Sequence, residues 1–363
     1  MIKSKEKLWI ILAGLIIGVI ASALVVLGNP ANMGFCIACF IRDTAGSLGL
    51  HRAGAVQYLR PEIIGIILGS FLLSLGKKEF SPRGGSSPMT RLLLGFFAMI
   101  GCLMFLGCPF RMILRIAGGD LNAILGLVGF AAGILCGVFY LKRGYSLKRT
   151  YKLPASEGSA LPVIASALLI VLLAVPSLLL FTEAGGGPGA KHAAVWISLL
   201  AGLIVGGLAQ RTRLCMVGGI RDAVLFREFK LLIGFAAILA AALAMNLLLS
   251  AVTSGTYFTL GFEGQPVAHM DGLWNALGML LVGFACVLLG GCPLRQLVLA
   301  GEGNTDSALT VVGLLLGAAF AHNFGLASSA AGPTDNGKIA VIIGIIAVII
   351  IGECNIARGK KKG

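Results

Sequence analysis

Apolar runs about as long as a bilayer crossing, roughly 17 to 25 residues, recur along the whole chain. They lie near residues 8–28, 61–76, 91–107, 122–141, 160–181, 192–210, 230–251, 273–291, 307–324 and 338–357. Only short polar or glycine-rich stretches separate them, so no separate soluble domain is expected. Backbone that sits in lipid must satisfy its own polar groups, and continuous apolar runs of this length do so as helices. The pattern therefore predicts an all-α polytopic membrane protein with about ten transmembrane helices.

The opening segment has a basic start, an apolar run and Ala21-Ser22-Ala23, the form of a cleavable secretion signal. Its apolar character continues through Leu27, however, and the crossing at 192–210 holds the same place relative to a repeated motif. The first segment is therefore read as structural.

That repeat organises the chain. Residues 35–43, F-C-I-A-C-F-I-R-D, match residues 214–222, L-C-M-V-G-G-I-R-D, which aligns Cys36 with Cys215, Arg42 with Arg221 and Asp43 with Asp222. Residues 107–111, G-C-P-F-R, match residues 291–295, G-C-P-L-R, and Cys102 and Cys286 each stand six residues before the cysteine of that motif. The two motifs recur in the same order, 179 (215 − 36) and 184 (292 − 108) residues apart. A duplicated unit of four crossings follows. An odd crossing between the copies reverses the second, giving an inverted internal repeat of the kind found in many transporters. The expected divisions are a first repeat at 1–153, a linking helix at 154–185, a second, inverted repeat at 186–330, and a final helix with a basic tail at 331–363.

Composition agrees: 57% hydrophobic residues, 12% charged residues and a mean hydropathy of +0.95 leave too little polar surface to coat a soluble globule. The formal charge of +14 does not indicate nucleic acid, because the basic residues gather beside apolar runs. Lys3, Lys5 and Lys7 open the chain; Lys77, Lys78 and Arg83, then Lys142, Arg143, Lys148, Arg149 and Lys152, fill later gaps; Arg358, Lys360, Lys361 and Lys362 close it. With ten crossings, all but Arg42, Arg52, Arg60, Arg111, Arg115, Lys191 and Lys338 of the 29 basic residues fall on one side. By the positive-inside rule that side is cytoplasmic, with both termini there. The first outer loop breaks the rule with Arg42, His51, Arg52 and Arg60, as either an anion funnel or an interfacial anchor would explain.

The candidate chemistry lies in the repeated motifs. In Gly107-Cys108-Pro109 and Gly291-Cys292-Pro293, proline breaks a continuing helix but fits the first turn of a new one. Each motif therefore predicts a short re-entrant half-helix with its cysteine at the cap, beside unpartnered amides and the positive end of the helix dipole, which attract anions. Arg111 and Arg295 follow by one turn, and an arginine at membrane depth implies water, a partner or a ligand. Arg42 and Arg221, each followed directly by its aspartate, are candidates for substrate contact or for a structural ion pair between the repeats. The repeat places the thiols of Cys36, Cys108, Cys215 and Cys292 at both mouths of one path. Cys39 completes a C-x-x-C with Cys36 but has Gly218 as counterpart; it is either redox-active or simply buried. Cys136 and Cys354 are expected in the core, and Cys102 and Cys286 on a packed helix face. His192, His269 and His322 have no partner at metal-ligand spacing, so no metal is expected, nor any cofactor. The sequence has no phosphate-binding P-loop, zinc-protease helix or serine-hydrolase elbow. The expected protein is a transporter rather than an enzyme.

Two C-x5-R-D stretches and two G-C-P-x-R stretches in inverted halves resemble the YeeE/YedE family of bacterial inner-membrane proteins, over nearly the whole chain. The resemblance implies an hourglass of membrane and half-membrane helices, with pathway cysteines at Cys36, Cys108, Cys215 and Cys292 that hand a sulfur-containing anion between thiols. It also implies a cytoplasmic partner of the small sulfur-carrier type. The stretches C-I-A-C-F-I-R-D and R-L-C-M-V-G-G-I-R-D are similar to the selenium-associated branch, so the expected cargo is a selenium compound or thiosulfate, imported across the inner membrane. Two rivals remain: a membrane thiol-disulfide oxidoreductase using Cys36 and Cys39, and a structural scaffold for a soluble selenium-handling enzyme.

Overall fold

A computed structural model describes residues 2–253 and 255–357, with side chains from residue 5 onward. The basic cluster Arg358, Lys360, Lys361 and Lys362, and the side chain of Lys3, lie outside the described residues. The first half of the chain forms α1 (Ile2–Val26), α2 (Ile37–Ser47), α3 (Pro61–Gly76), α4 (Pro88–Phe105), α5 (Pro109–Ala117) and α6 (Asn122–Lys142). The connection contains α7 (Ala155–Gly158) and α8 (Ala160–Ala174). The second half forms α9 (Val195–Thr212), α10 (Met216–Phe226), α11 (Lys230–Val252), α12 (Gly272–Leu289), α13 (Pro293–Gly301) and α14 (Thr305–Asn323), before α15 (Asp335–Cys354). Among the described residues one strand pair forms, β1 (Arg83–Gly84) antiparallel to β2 (Tyr151–Lys152).

Nine helical segments among the described residues are long and apolar enough to cross a membrane. They match nine of the ten expected crossings. The tenth, α8, is shorter than expected because Val175 leaves the helix ahead of Pro176, which opens a 3-10 turn. At about 1.5 Å per residue its 15 residues reach about 22 Å, short of a hydrocarbon core of about 30 Å. Helix direction nevertheless requires α8 to cross. Gly65 and Gly69 of α3 meet Leu199 and Leu203 of α9, so the two helices run parallel. The chain passes through α4, α6 and α8 between them, and without α8 as a crossing they would be antiparallel.

The same close approach pairs the other long helices. Gly14 and Gly18 of α1 lie against Gly234 and Ile238 of α11, Gly129 and Gly133 of α6 against Ala276 and Leu280 of α12, and Gly313 and Gly317 of α14 against Leu92 and Phe96 of α4. All three pairs are parallel, since contacts advance together along both chains. Lipid gives helices no hydrophobic reason to associate, so backbones must come close enough for dispersion to hold them, and glycine permits that. A Cβ at Gly129 would stand 1.9 Å from the carbonyl oxygen of Ala276. We expect Gly129→Ala to destabilise the protein by about 1 to 3 kcal/mol. Gly76→Ala, where nothing lies within 4 Å, should shift the melting temperature by less than about 2 °C. Equal shifts in a thermal melt of the two purified variants would contradict the packing account.

The short helices occupy the middle. Helix α5 packs against α11 and α6, α13 against α3 and α14, α2 against α14, and α10 against α11 and α6. The inner end below is the end at which α1 begins; the outer end is its opposite.

Candidate functional site

Four cysteines begin the four short central helices. Cys36 is the N-cap of α2 and its sulfur accepts the amide N–H of Cys39 at 3.3 Å; Cys215 is the N-cap of α10 and accepts that of Gly218, also at 3.3 Å. The sulfur does what a serine or aspartate oxygen does at most caps, taking up an amide with no helical partner. Cys108 and Cys292 cap α5 and α13 in extended conformation, with Pro109 and Pro293 inside the first turn. The G-C-P motifs thus start half-helices as expected. The C-x5-R-D stretches do too, although the pattern had placed them in connections between crossings.

The caps meet in pairs. The sulfurs of Cys215 and Cys292 are 3.8 Å apart, and the backbone N–H of Cys292 donates to Cys215 Sγ at 3.5 Å. The side chains of Cys36 and Cys108 are also neighbours, with the Cys39 amide on the Cys36 sulfur. All five are at most 5% exposed. Cys102 and Cys286 are buried as well, in α4 and α12, which pack against each other. Sequence reading had assigned these two to a packed face. Cys136 and Cys354 are corrected: both are exposed, on outward helix surfaces rather than in the core.

The paired arginines have unlike surroundings. Arg111 is fully buried and, among the described residues, no carboxylate lies within 4.0 Å of it. Its guanidinium donates to the carbonyls of Asn32 at 3.2 Å, Leu106, Pro266 at 3.2 Å and Val267 at 3.3 Å, and Cys39 Sγ is 4.0 Å away. The carbonyls of Asn32, Pro266 and Val267 belong to the connections after α1 and before α12, which the guanidinium ties to Leu106 in the break between α4 and α5. Arg295, its counterpart, pairs with Glu302 at 3.1 Å, and both lie on a cavity of about 400 Å³ at the inner end.

The other motif shows the same contrast. Asp43 bridges Arg42 and Arg60, each at 2.7 Å, and all three are buried. Arg221 and Asp222 pair at 2.8 Å but remain 27% and 22% exposed. Each aspartate therefore pairs with the arginine just before it, not across the repeats. Of the four basic residues in the first outer loop only Arg52 is exposed; Arg42, His51 and Arg60 are buried, so the loop is not the basic surface its sequence suggested. His51 stacks on His322, and His192 on Tyr58. Among the described residues no group of three or more His, Cys, Asp or Glu has a metal-binding arrangement.

Sequence reading also missed two buried polar clusters. Glu62 accepts from Asn29 at 2.9 Å and Ser198 at 3.1 Å, and Arg115 pairs with Asp120 at 2.6 Å beneath the Phe105 ring. In Arg115 and Asp120 the five-residue spacing across a helix end was the available signal; Glu62 joins residues from three distant segments and offered none.

The chemistry available is soft sulfur donors and acceptors at buried helix caps, with Arg111 and Arg295 one turn beyond two of them. Comparison with known proteins agrees with that character. The family model for sulphur transport matches residues 211–354, from the end of α9 through α15. The thiosulfate transporter TsuA of Spirochaeta thermophila is 29% identical over 127 residues, which are 34% of this chain and 35% of that protein. The matched region thus spans about a third of that relative's length. The family model covers less than half of the chain; with the repeated motifs and the multi-pass helical fold, these matches make the chain similar to sulphur-transport membrane proteins.

Proposed function

We propose that the protein is a transporter that imports a small sulfur- or selenium-containing anion, thiosulfate or a related selenium compound, along the buried thiols. The observation that carries this reading is the meeting of two buried cysteine caps, Cys215 and Cys292, with sulfurs 3.8 Å apart, together with buried cysteine caps at the matching Cys36 and Cys108 of the other half. An anion leaving water must exchange its hydration for other partners, or entry is prohibitive. S–H groups supply weak, polarisable donors along the way, and Arg111 and Arg295 supply compensating charge. Weak donors in succession also allow release, as conduction requires.

The parallel pairing of α1 with α11 and of α3 with α9 supports an inverted duplication, with repeats at 1–153 and 186–330 joined by 154–185 and followed by 331–363. Such halves can exchange conformations about a shared middle. We place the protein in the bacterial inner membrane with both termini cytoplasmic, so that the inner end faces the cytoplasm, where a small sulfur-carrier protein would receive the cargo. Driving energy from ATP is not part of this chain's role. The oxidoreductase alternative would rest on Cys39, which the second half replaces with Gly218; transport uses the four cysteines both halves possess.

Uptake by proteoliposomes of labelled thiosulfate, selenite and sulfate, compared side by side, tests the proposal. Thiosulfate or selenite should enter well above sulfate, which has no soft atom for the thiols. Equal rates for all three, or none above protein-free vesicles, would refute it.

A further inference from the structure

The cavity beneath Arg295 carries more positive charge than its own carboxylates neutralise. Arg83, Arg211, Arg213 and Arg295 line it against Glu79 and Glu302. Glu302 is taken by Arg295 at 3.1 Å, and Glu79 by Gln210 at 2.8 Å and Arg211 at 3.9 Å. Among the described residues no carboxylate lies within 4.0 Å of Arg83 or Arg213. Two guanidinium groups therefore line one cavity of about 400 Å³ without a carboxylate partner among the described residues.

Both are carried on fixed backbone. Arg83 is in β1, paired with Lys152 of β2 and bridged to Asn304. Arg213 caps α9 with φ +55°, a left-handed position that usually falls to glycine, two residues before Cys215. The depth of the cavity matters as well. Arg211 and Glu79 at the rim are 62% and 47% exposed, whereas Arg295 and Glu302 are 13% each. Arg295 is also a charge neighbour of Cys215. The cavity thus runs inward from an exposed rim to the nearly buried Arg295 and Glu302, on the helix that Cys292 caps.

We infer that this cavity is a second anion site, distinct from the thiols, which holds one small divalent oxyanion between Arg83 and Arg213 at the inner end. Planar guanidinium forks suit the oxygens of such an anion, and two of them balance its charge. No cysteine lines the cavity, so it reads charge and oxygen geometry and does not distinguish sulfate from thiosulfate. In the transport reading it is where cargo is held on leaving Cys215 and Cys292, and only that placement rests on the transport reading.

The test is equilibrium binding of labelled sulfate, and separately of labelled thiosulfate, to the full chain in nanodiscs at low salt. Sulfate is expected to bind, to compete with thiosulfate, and to weaken as salt rises, because the contacts are ionic. The double variant Arg83→Gln with Arg213→Gln should weaken sulfate binding about tenfold or more, while Arg83→Lys with Arg213→Lys keeps most of it. Unchanged sulfate binding in the glutamine variant overturns the site, as does binding of thiosulfate with none of sulfate. Should the glutamine variant fail to fold, sulfate binding to the unaltered protein that ignores salt overturns it equally. Failure of the unaltered protein to take up thiosulfate in vesicles would instead reject transport and leave the binding result standing.

Discussion

Cys292→Ala is expected to cut thiosulfate uptake by about 10- to 100-fold, while Cys136→Ala and Cys354→Ala leave it unchanged. The sulfur of Cys292 lies 3.8 Å from that of Cys215 at the junction of two half-helix caps. In the proposed transport, an anion passing there exchanges its water for these contacts. One hydrogen bond to a charged partner is worth about 1.5 to 3 kcal/mol, and about 1.4 kcal/mol in a barrier is tenfold in rate. Alanine leaves the backbone of the cap intact and removes only the donor. Cys136 and Cys354 are exposed on outward helix surfaces and meet no other described sulfur. Uptake in vesicles with matched protein content measures all three, and a fall confined to Cys136→Ala or Cys354→Ala would reverse the assignment.

The largest effect on stability should come from Asp43→Ala. Asp43 is the only described carboxylate that pairs with Arg42 and Arg60, and these groups are at most 3% exposed. Removing it leaves two buried guanidinium groups without an anion, a change that typically costs about 3 to 5 kcal/mol. The corresponding Asp222→Ala should cost less than about 1 kcal/mol, because Arg221 and Asp222 remain partly solvated. Identical motif residues thus carry different loads. A thermal melt of the two variants should separate them widely, and similar melting temperatures would show that the buried cluster is not what holds α2 against α3.

This contrast also marks how far the sequence could be read. Apolar run length located the long helices, and the prolines after Cys108 and Cys292 located two half-helices, because both signals are local. The half-helices at Cys36 and Cys215 were harder: neither has a proline in its first turn, and their 11 residues fit a polar connection as well as a helix. Burial was not legible at all. Arg42 and Arg221 sit in matching sequence, and only the packing of the outer connections around α2 makes one cluster dry and the other wet. The same cause separates Arg111, enclosed by carbonyls from Asn32, Leu106, Pro266 and Val267, from Arg295, which faces an open cavity. Motif repetition specifies which residues recur; connection length decides what surrounds them. Cys102 and Cys286 were visible as a repeat, yet their burial depends on how α4 packs against α12, which no local pattern states.

The account places cargo against the paired thiols, and selenium offers a direct view because it scatters anomalously. Crystals soaked with selenosulfate should show an anomalous peak in contact with Cys36 and Cys108 or with Cys215 and Cys292. Peaks confined to the arginine cavity or to outward-facing cysteines, with neither thiol pair occupied, would contradict it.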